Sequence, residues 1–231
     1  MTRQYRYLDV LITAFVVILL VSNLVAQKIV RLGPVSFSGA LLLFPVTYIF
    51  GDVFTEVYGY AASRRAIWIG FCGVALMYAV GALVIALPAD PDFHDQKAFI
   101  TVFGILPRLL GASLVAFWAG EFANSYTMAR LKILTRGRWL WTRTVSSTIV
   151  GQAVDTFIVV TLTFAGKYPA RTLAKIILTS YCLKVAYEIL ATPLTYLVVN
   201  FLKRAEYSDA YDAHTNFNPF SFADKTSSPK P

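Results

Sequence analysis

The sequence predicts an all-α membrane protein: a polytopic bundle of six transmembrane helices with both termini cytoplasmic. Three observations predict it. Of the 231 residues, 57% are hydrophobic and 15% are charged. The apolar residues fall in runs of about twenty, the length of helix that crosses a bilayer core. The cations between those runs are distributed unevenly, as they are in chains oriented by the positive-inside rule. A soluble domain of this size has no interior large enough for so much apolar surface.

The runs lie at 8–27, 37–58, 66–87, 107–130, 144–165 and 173–202. One transmembrane domain therefore takes residues 1–205, and a polar tail takes 206–231. Arg3 and Arg6 precede the first run like the head of a signal peptide. The run is too long for one and lacks a convincing cleavage site, so it reads as a retained signal anchor. Pro45 and Pro193 fall inside the second and sixth runs, where each removes a helical hydrogen bond that neighbours must replace. The tail carries Pro219, Pro229 and Pro231 and ends Thr-Ser-Ser-Pro-Lys-Pro, a composition that rarely packs. Its aromatic patch at 217–222 offers a way to dock on the cytoplasmic face.

A net charge of +8 would suggest a nucleic-acid partner in a soluble protein. Here topology accounts for it, and no nucleic acid is expected. Arg3, Arg6, Arg64, Arg65, Arg130, Lys132, Arg136, Arg138, Arg143, Lys203 and Arg204 fall on one side; Lys28, Arg31, Lys97, Lys167 and Arg171 fall on the other, with Asp90, Asp92 and Asp95 beside Lys97. The excess marks the cytoplasmic side and implies a multi-pass protein of the inner membrane whose surroundings are the lipid bilayer. Cys72 and Cys182 lie far apart in apolar runs and are expected to be free buried thiols. His94 and His214 are isolated, so no metal site is expected.

Polar side chains inside the runs carry the functional signal, because a charge at mid-bilayer costs about 2.5–3.5 kcal/mol even on insertion scales. Asp52 and Glu56 lie in the second run, Glu121 and Asn124 in the fourth, Gln152 and Asp155 in the fifth, Lys184 and Glu188 in the sixth. Each pair is spaced by three or four residues, so each stands on one helix face. Asn23 with Gln27 adds a fifth stripe. In Gly51-Asp52, Gly120-Glu121 and Gly151-Gln152, a glycine precedes the polar residue and a second polar residue follows three later. Glycine at such places permits close helix approach or local unwinding.

Two readings compete. Polar residues can glue helices together, and Lys184 and Glu188 can pair with each other. Five carboxylates against one lysine exceed what glue needs, which favours a shared cavity. Tyr48, Phe50, Tyr58, Trp118, Phe122, Tyr181 and Tyr187 lie near the stripes, so a flat aromatic ligand suits them. The candidate binding residues are therefore Asp52, Glu56, Glu121, Asn124, Gln152, Asp155, Tyr181, Lys184 and Glu188. No phosphate loop, zinc helix or nucleophile elbow occurs. Transport without a cofactor is expected rather than catalysis, an intramembrane enzyme being the weaker alternative.

The stretches FPVTYIFGDVFTEVYGYAASRRAIW, GEFANSYTMARLK, LWTRTVSSTIVGQAVDTF and YCLKVAYEILATPLTYLVVNFLKRAE resemble those of the queuosine-precursor transporter family, a vitamin-uptake-transporter-like group. One departure is Ser146-Ser147, where a glycine–serine is frequent in that family. The resemblance implies import of a 7-deazaguanine base, in cyano or aminomethyl form, to supply tRNA modification. Asp52, Glu56, Glu121, Asp155 and Glu188 then supply acceptors, while Asn124, Gln152 and Lys184 supply donors to a guanine-like edge. The alternative within transport is a substrate-binding component that docks on a separate energising module. A homodimer is a reasonable expectation for so small a bundle.

Overall fold

The computed structural model describes residues 5–26, 28–32, 35–104 and 107–221. Gln27 and Phe222 lie outside the described residues. The chain runs α1 (Leu8–Val25), an antiparallel hairpin of β1 (Ile29–Leu32) and β2 (Val35–Ser38), a 3-10 turn (Gly39–Leu42), α2 (Phe44–Val53), a π-helical turn (Phe54–Tyr58), then α3 (Tyr60–Ala86). It continues through α4 (Gln96–Phe103), α5 (Pro107–Leu134), α6 (Leu140–Phe164) and α7 (Ala170–Glu206).

Among the described residues, five helices, α1, α3, α5, α6 and α7, are long and apolar enough to cross a membrane. The second predicted span is different. Residues 37–58 begin as strand and 3-10 turn, and the helical part, α2 with its π turn, covers only 44–58. At ~1.5 Å per residue this helix falls short of a ~30 Å hydrocarbon core. Pro45 is part of the reason: it sits in the first turn of α2, where a missing N–H costs nothing, so it starts the helix instead of bending it. Pro193 does lie inside α7, as expected. That helix has 37 residues, long enough to project well beyond the bilayer core.

Both ends of the described chain meet at one end of the bundle. The backbone N–H groups of Arg6 and Tyr7 donate to the Glu206 carboxylate at 3.0 and 2.7 Å, and the Tyr58 hydroxyl joins them at 3.1 Å. We call this the tail end and the opposite one the hairpin end. At the hairpin end, Arg108 donates to the backbone oxygens of Leu162 and Ala165 at 2.6 and 2.7 Å. It thereby caps the open carbonyls of α6 with a cation, as the helix dipole favours. This arginine adds to the cations of the side that the sequence reads as poorer in them.

The core fills the space between α1, α2, the π turn and α3. Ile12, Phe15, Leu19, Val53, Phe54, Val57 and Val74 are buried there, and Phe15 meets Phe54 edge-on at 5.6 Å between ring centroids. The outward faces are rich in exposed Leu, Val and Ile, the surface that a bilayer covers. Cys72 and Cys182 are free but exposed, correcting the expectation of burial. In a membrane bundle the apolar side of a helix is the outside, so an apolar run does not place a thiol in the core.

The tail packs further than its composition suggests. Residues 207–221 form a strap across α3 and α5. The Asp212 carboxylate accepts from the Tyr60 N–H at 3.0 Å and caps α3 at Gly59, whose φ of +89° few residues other than glycine adopt. The Tyr60 hydroxyl donates to the Phe217 oxygen at 3.0 Å, Arg64 to the Asn216 oxygen at 2.9 Å, and the Trp68 indole to the Pro219 oxygen at 2.9 Å. Phe217 packs on Tyr60, and Phe220 on Trp68 and Trp118.

Candidate functional site

α5 and α6 cross where two glycines face each other's helix. A Cβ added to Gly120 would lie 2.8 Å from Asp155 Cβ and 3.1 Å from the Gly151 oxygen. One added to Gly151 would lie 2.8 Å from Asn124 Cβ and 3.0 Å from the Gly120 oxygen. The contact is reciprocal: each glycine receives the polar residue four positions beyond the other. Gly51 of α2 stands against the same crossing, its missing Cβ 3.2 Å from Glu121 Oε2. Thus the three glycine-led clusters of the sequence meet, and close backbone approach brings their polar neighbours together.

Beside this crossing is a cavity of about 240 Å³ between α1, α2, α5, α6 and α7. Asp52, Glu121, Asn124, Gln152, Asp155, Lys184 and Glu188 all line it. Lys184 pairs with Asp155 across α6 and α7, not with Glu188 on its own helix. Several of the other acceptors have uncommitted oxygens. Among the described residues, Asp52 Oδ2, Asn124 Oδ1, Gln152 Oε1 and both carboxylate oxygens of Glu188 are buried without a hydrogen-bond partner. Buried acceptors are normally satisfied, so a concentration of unsatisfied ones on one cavity marks a place for a ligand rich in donors. Glu188 is 1% exposed, held on α7 one turn before Pro193, with its own backbone oxygen accepting from the Thr192 hydroxyl at 2.9 Å.

Among the described residues, the rings on the cavity wall are Phe15, Tyr48 and Phe117. Of the aromatic residues singled out in the sequence, only Tyr48 is among them. Trp118 and Phe122 face Trp68 on the other side of α5, and Phe50 stacks on Phe54 in the core. Phe15 and Phe117, together with Ser22, Thr47 and Thr148, escaped the sequence reading because an aromatic or hydroxyl residue in an apolar run has no spacing that distinguishes wall from core. Tyr181 is half-buried and not on the wall.

Glu56 is also elsewhere. It stands one turn below Asp52 in the π segment, fully buried, at the centre of a second polar assembly. Its Oε1 accepts from Arg143 at 2.7 Å and Lys203 at 2.6 Å and lies 3.3 Å from Lys132. Lys132 also donates to the Glu56 backbone oxygen at 2.6 Å. Both lysines reach the strap through Asp209, at 2.5 Å from Lys132 and 2.8 Å from Lys203. Partial burial pushes the Asp209 carboxyl up, but hydrogen bonds from the two lysines outweigh it and hold it below its ordinary value. Lys132, Arg143 and Lys203, counted in the sequence as topology cations, are thus structural partners of one carboxylate. Three cations on three different helices gave no pattern that a linear reading finds.

Residues 38–198 match the family model described as "Putative vitamin uptake transporter". The chain belongs to this family. A curated relative of Bacillus subtilis (strain 168), named "Probable queuosine precursor transporter", is 31% identical over 189 residues, covering 81% of this chain and 82% of the relative. No solved structure matches. The vitamin-uptake family match takes in the α2, α5, α6 and α7 walls of the transporter's cavity. Lys203 and Asp209 of the second assembly lie beyond its limit. The transporter is therefore a membrane protein with a polar pocket among apolar helices, an arrangement suited to holding a small solute.

Proposed function

We propose that this transporter imports a queuosine precursor, a 7-deazaguanine base in its cyano or aminomethyl form, and binds it in the cavity between α2, α5, α6 and α7. The observation that carries this reading is the set of uncommitted acceptors, Glu188 above all, beside the rings of Phe15, Tyr48 and Phe117. A guanine-like edge presents ring and exocyclic N–H donors that a single carboxylate accepts together, while aromatic walls take its flat faces. Four carboxylates against one lysine also favour the aminomethyl cation. The relative's name points the same way. α2, though short, runs from the hairpin end to the tail end and serves as the sixth crossing, so that both termini are cytoplasmic in the inner membrane.

Thermal unfolding of the purified full-length protein tests the reading. A ligand at 100 times its Kd stabilises the folded state by about 2.7 kcal/mol. 7-Cyano- and 7-aminomethyl-7-deazaguanine should raise the melting temperature, an analogue without the exocyclic amine much less, and an unrelated vitamin not at all. A response to the vitamin with none to the deazaguanines defeats the assignment.

Orientation has its own test. With Cys72 and Cys182 replaced by serine, His214→Cys on the exposed side of the strap should resist an impermeant thiol reagent applied to intact cells and react once the cells are opened. Ready labelling in intact cells reverses the topology.

A further inference from the structure

The cavity and the Glu56 assembly lie on one stripe of one short element. Asp52 and Glu56 are four residues apart in the continuous helical segment formed by α2 and the π turn, so the first faces the cavity and the second faces the charges one turn nearer the tail end. Cavity residues on α1 extend the other way: Ser22, Asn23 and Ala26 lead to its hairpin end, where Ala40 also lines the space. Toward the tail end the passage is filled. All five residues of the π segment are buried, as are Arg143, Thr144 and Ser147 of α6 and Val199 of α7.

We infer that the Glu56–Lys132–Arg143–Lys203–Asp209 assembly, with the strap laid over it, is the tail-side gate of the transport path, closed in this structure while the cavity is approached from the hairpin end. The assembly ties the π turn to three of the helices that wall the cavity and to the strap. Glu56 comes from the π turn, Lys132 from α5, Arg143 from α6, Lys203 from α7 and Asp209 from the strap. The strap adds two ties to the same segment: the Ser208 hydroxyl donates to the Val57 oxygen at 3.1 Å, and Asp212 caps α3 just beyond Gly59.

Its construction suits a gate better than a permanent brace. Two carboxylates face three cations, so removing either acid leaves the cations repelling one another. Burial is graded: the side chains of Glu56, Arg143 and Lys132 are 0–2% exposed, whereas Lys203 is 22% and Asp209 46% exposed. Water reaches the outer layer first, and the dry inner pairs become accessible only after the strap has lifted. Below the gate, Gly59 provides backbone freedom where the π segment joins α3. π turns are rare and concentrate at functional sites. Here the turn joins the residue that faces the solute to the residue that holds the exit shut, so a shift of α2 on binding is felt at Glu56.

The test reads which face of the membrane the cavity communicates with. In a protein whose only cysteine is Thr148→Cys, on the cavity wall, an impermeant thiol reagent is applied to sealed vesicles of either orientation. The parent should label from the hairpin side and slowly from the tail side. Asp209→Asn and Asp212→Asn, both on the strap, should each raise the tail-side rate about tenfold, as expected when a closed state loses part of its advantage. Glu56→Gln should raise it further. Hairpin-side labelling of the strap variants should stay near the parent's and their melting temperature should fall by only a few degrees, whereas a general structural loss would raise labelling from both sides. Equal labelling of the parent from both faces overturns the inference, and so does an unchanged tail-side rate in folded Asp209→Asn and Asp212→Asn. Neither outcome depends on which solute is carried.

Discussion

Glu188→Gln is expected to abolish uptake while leaving a folded, inserted protein. Glu188 is the cavity carboxylate with the strongest claim to the base edge, because Asp155 is already engaged by Lys184 and both Glu188 oxygens are buried without a hydrogen-bond partner among the described residues. The amide keeps the volume of the acid and replaces one acceptor by an NH₂ group. Set against two donors of the base, it forms one hydrogen bond and opposes one N–H with another. Losing a hydrogen bond to a charged group and burying an unmatched donor together cost about 3 kcal/mol, roughly a hundredfold or more in affinity. Glu188 makes no ion pair or side-chain hydrogen bond with the described protein, so the substitution should cost the fold little. Asp155→Asn should act differently, releasing Lys184 and reducing stability as well as uptake. The measurement is uptake of labelled base alongside the melting temperature of purified variants. Normal uptake by Glu188→Gln, or equal competition from amine-free analogues, removes Glu188 from recognition of the edge.

The stripes were legible because bilayer physics makes them so. Spacing of three or four residues fixes a helix face, and the cost of a lipid-exposed charge fixes where that face turns. That argument anticipated that Asp52, Glu121, Asn124, Gln152, Asp155, Lys184 and Glu188 belong to a common space, which is where the structure puts them. It failed for Glu56, since a stripe long enough for two residues on a short helix reaches two different environments. Helix periodicity says that Asp52 and Glu56 share a face; it does not say that the wall ends between them. The second span misled for a related reason. An apolar run at 37–58 satisfies any hydropathy count, yet its first third is paired as a strand and turn. The strap was legible only in part: its aromatic patch was read as able to dock, and Phe217 and Phe220 do pack on α3 and α5, but several attachments are backbone oxygens of Asn216, Phe217 and Pro219, and backbone groups carry no sequence signature.

Gly151→Ala is expected to destabilise the protein, and Gly111→Ala is not, although both place the same methyl group on a membrane helix. In a helix interior the change removes a glycine penalty of about 1 kcal/mol, so each substitution begins with a local gain. At Gly111 nothing lies within 4 Å of the new Cβ, and that gain should persist. At Gly151 the methyl carbon would stand 2.8 Å from Asn124 Cβ, 3.0 Å from the Gly120 oxygen and 3.3 Å from Asn124 Cα. None of these is the far end of a flexible side chain, so α5 and α6 must separate along their whole crossing. Overpacking of this kind costs about 1–3 kcal/mol, which offsets the local gain and exceeds it. Separation also moves Asn124 and Asp155 apart, and with them the walls of the cavity, so ligand-induced stabilisation should shrink together with the melting temperature. Gly120→Ala should reproduce the effect, because its contacts with Asp155 and the Gly151 oxygen mirror those of Gly151. Melting curves of the three variants, with and without the base, decide the matter. If Gly151→Ala melts at or above Gly111→Ala, close approach at this crossing is not what assembles the site.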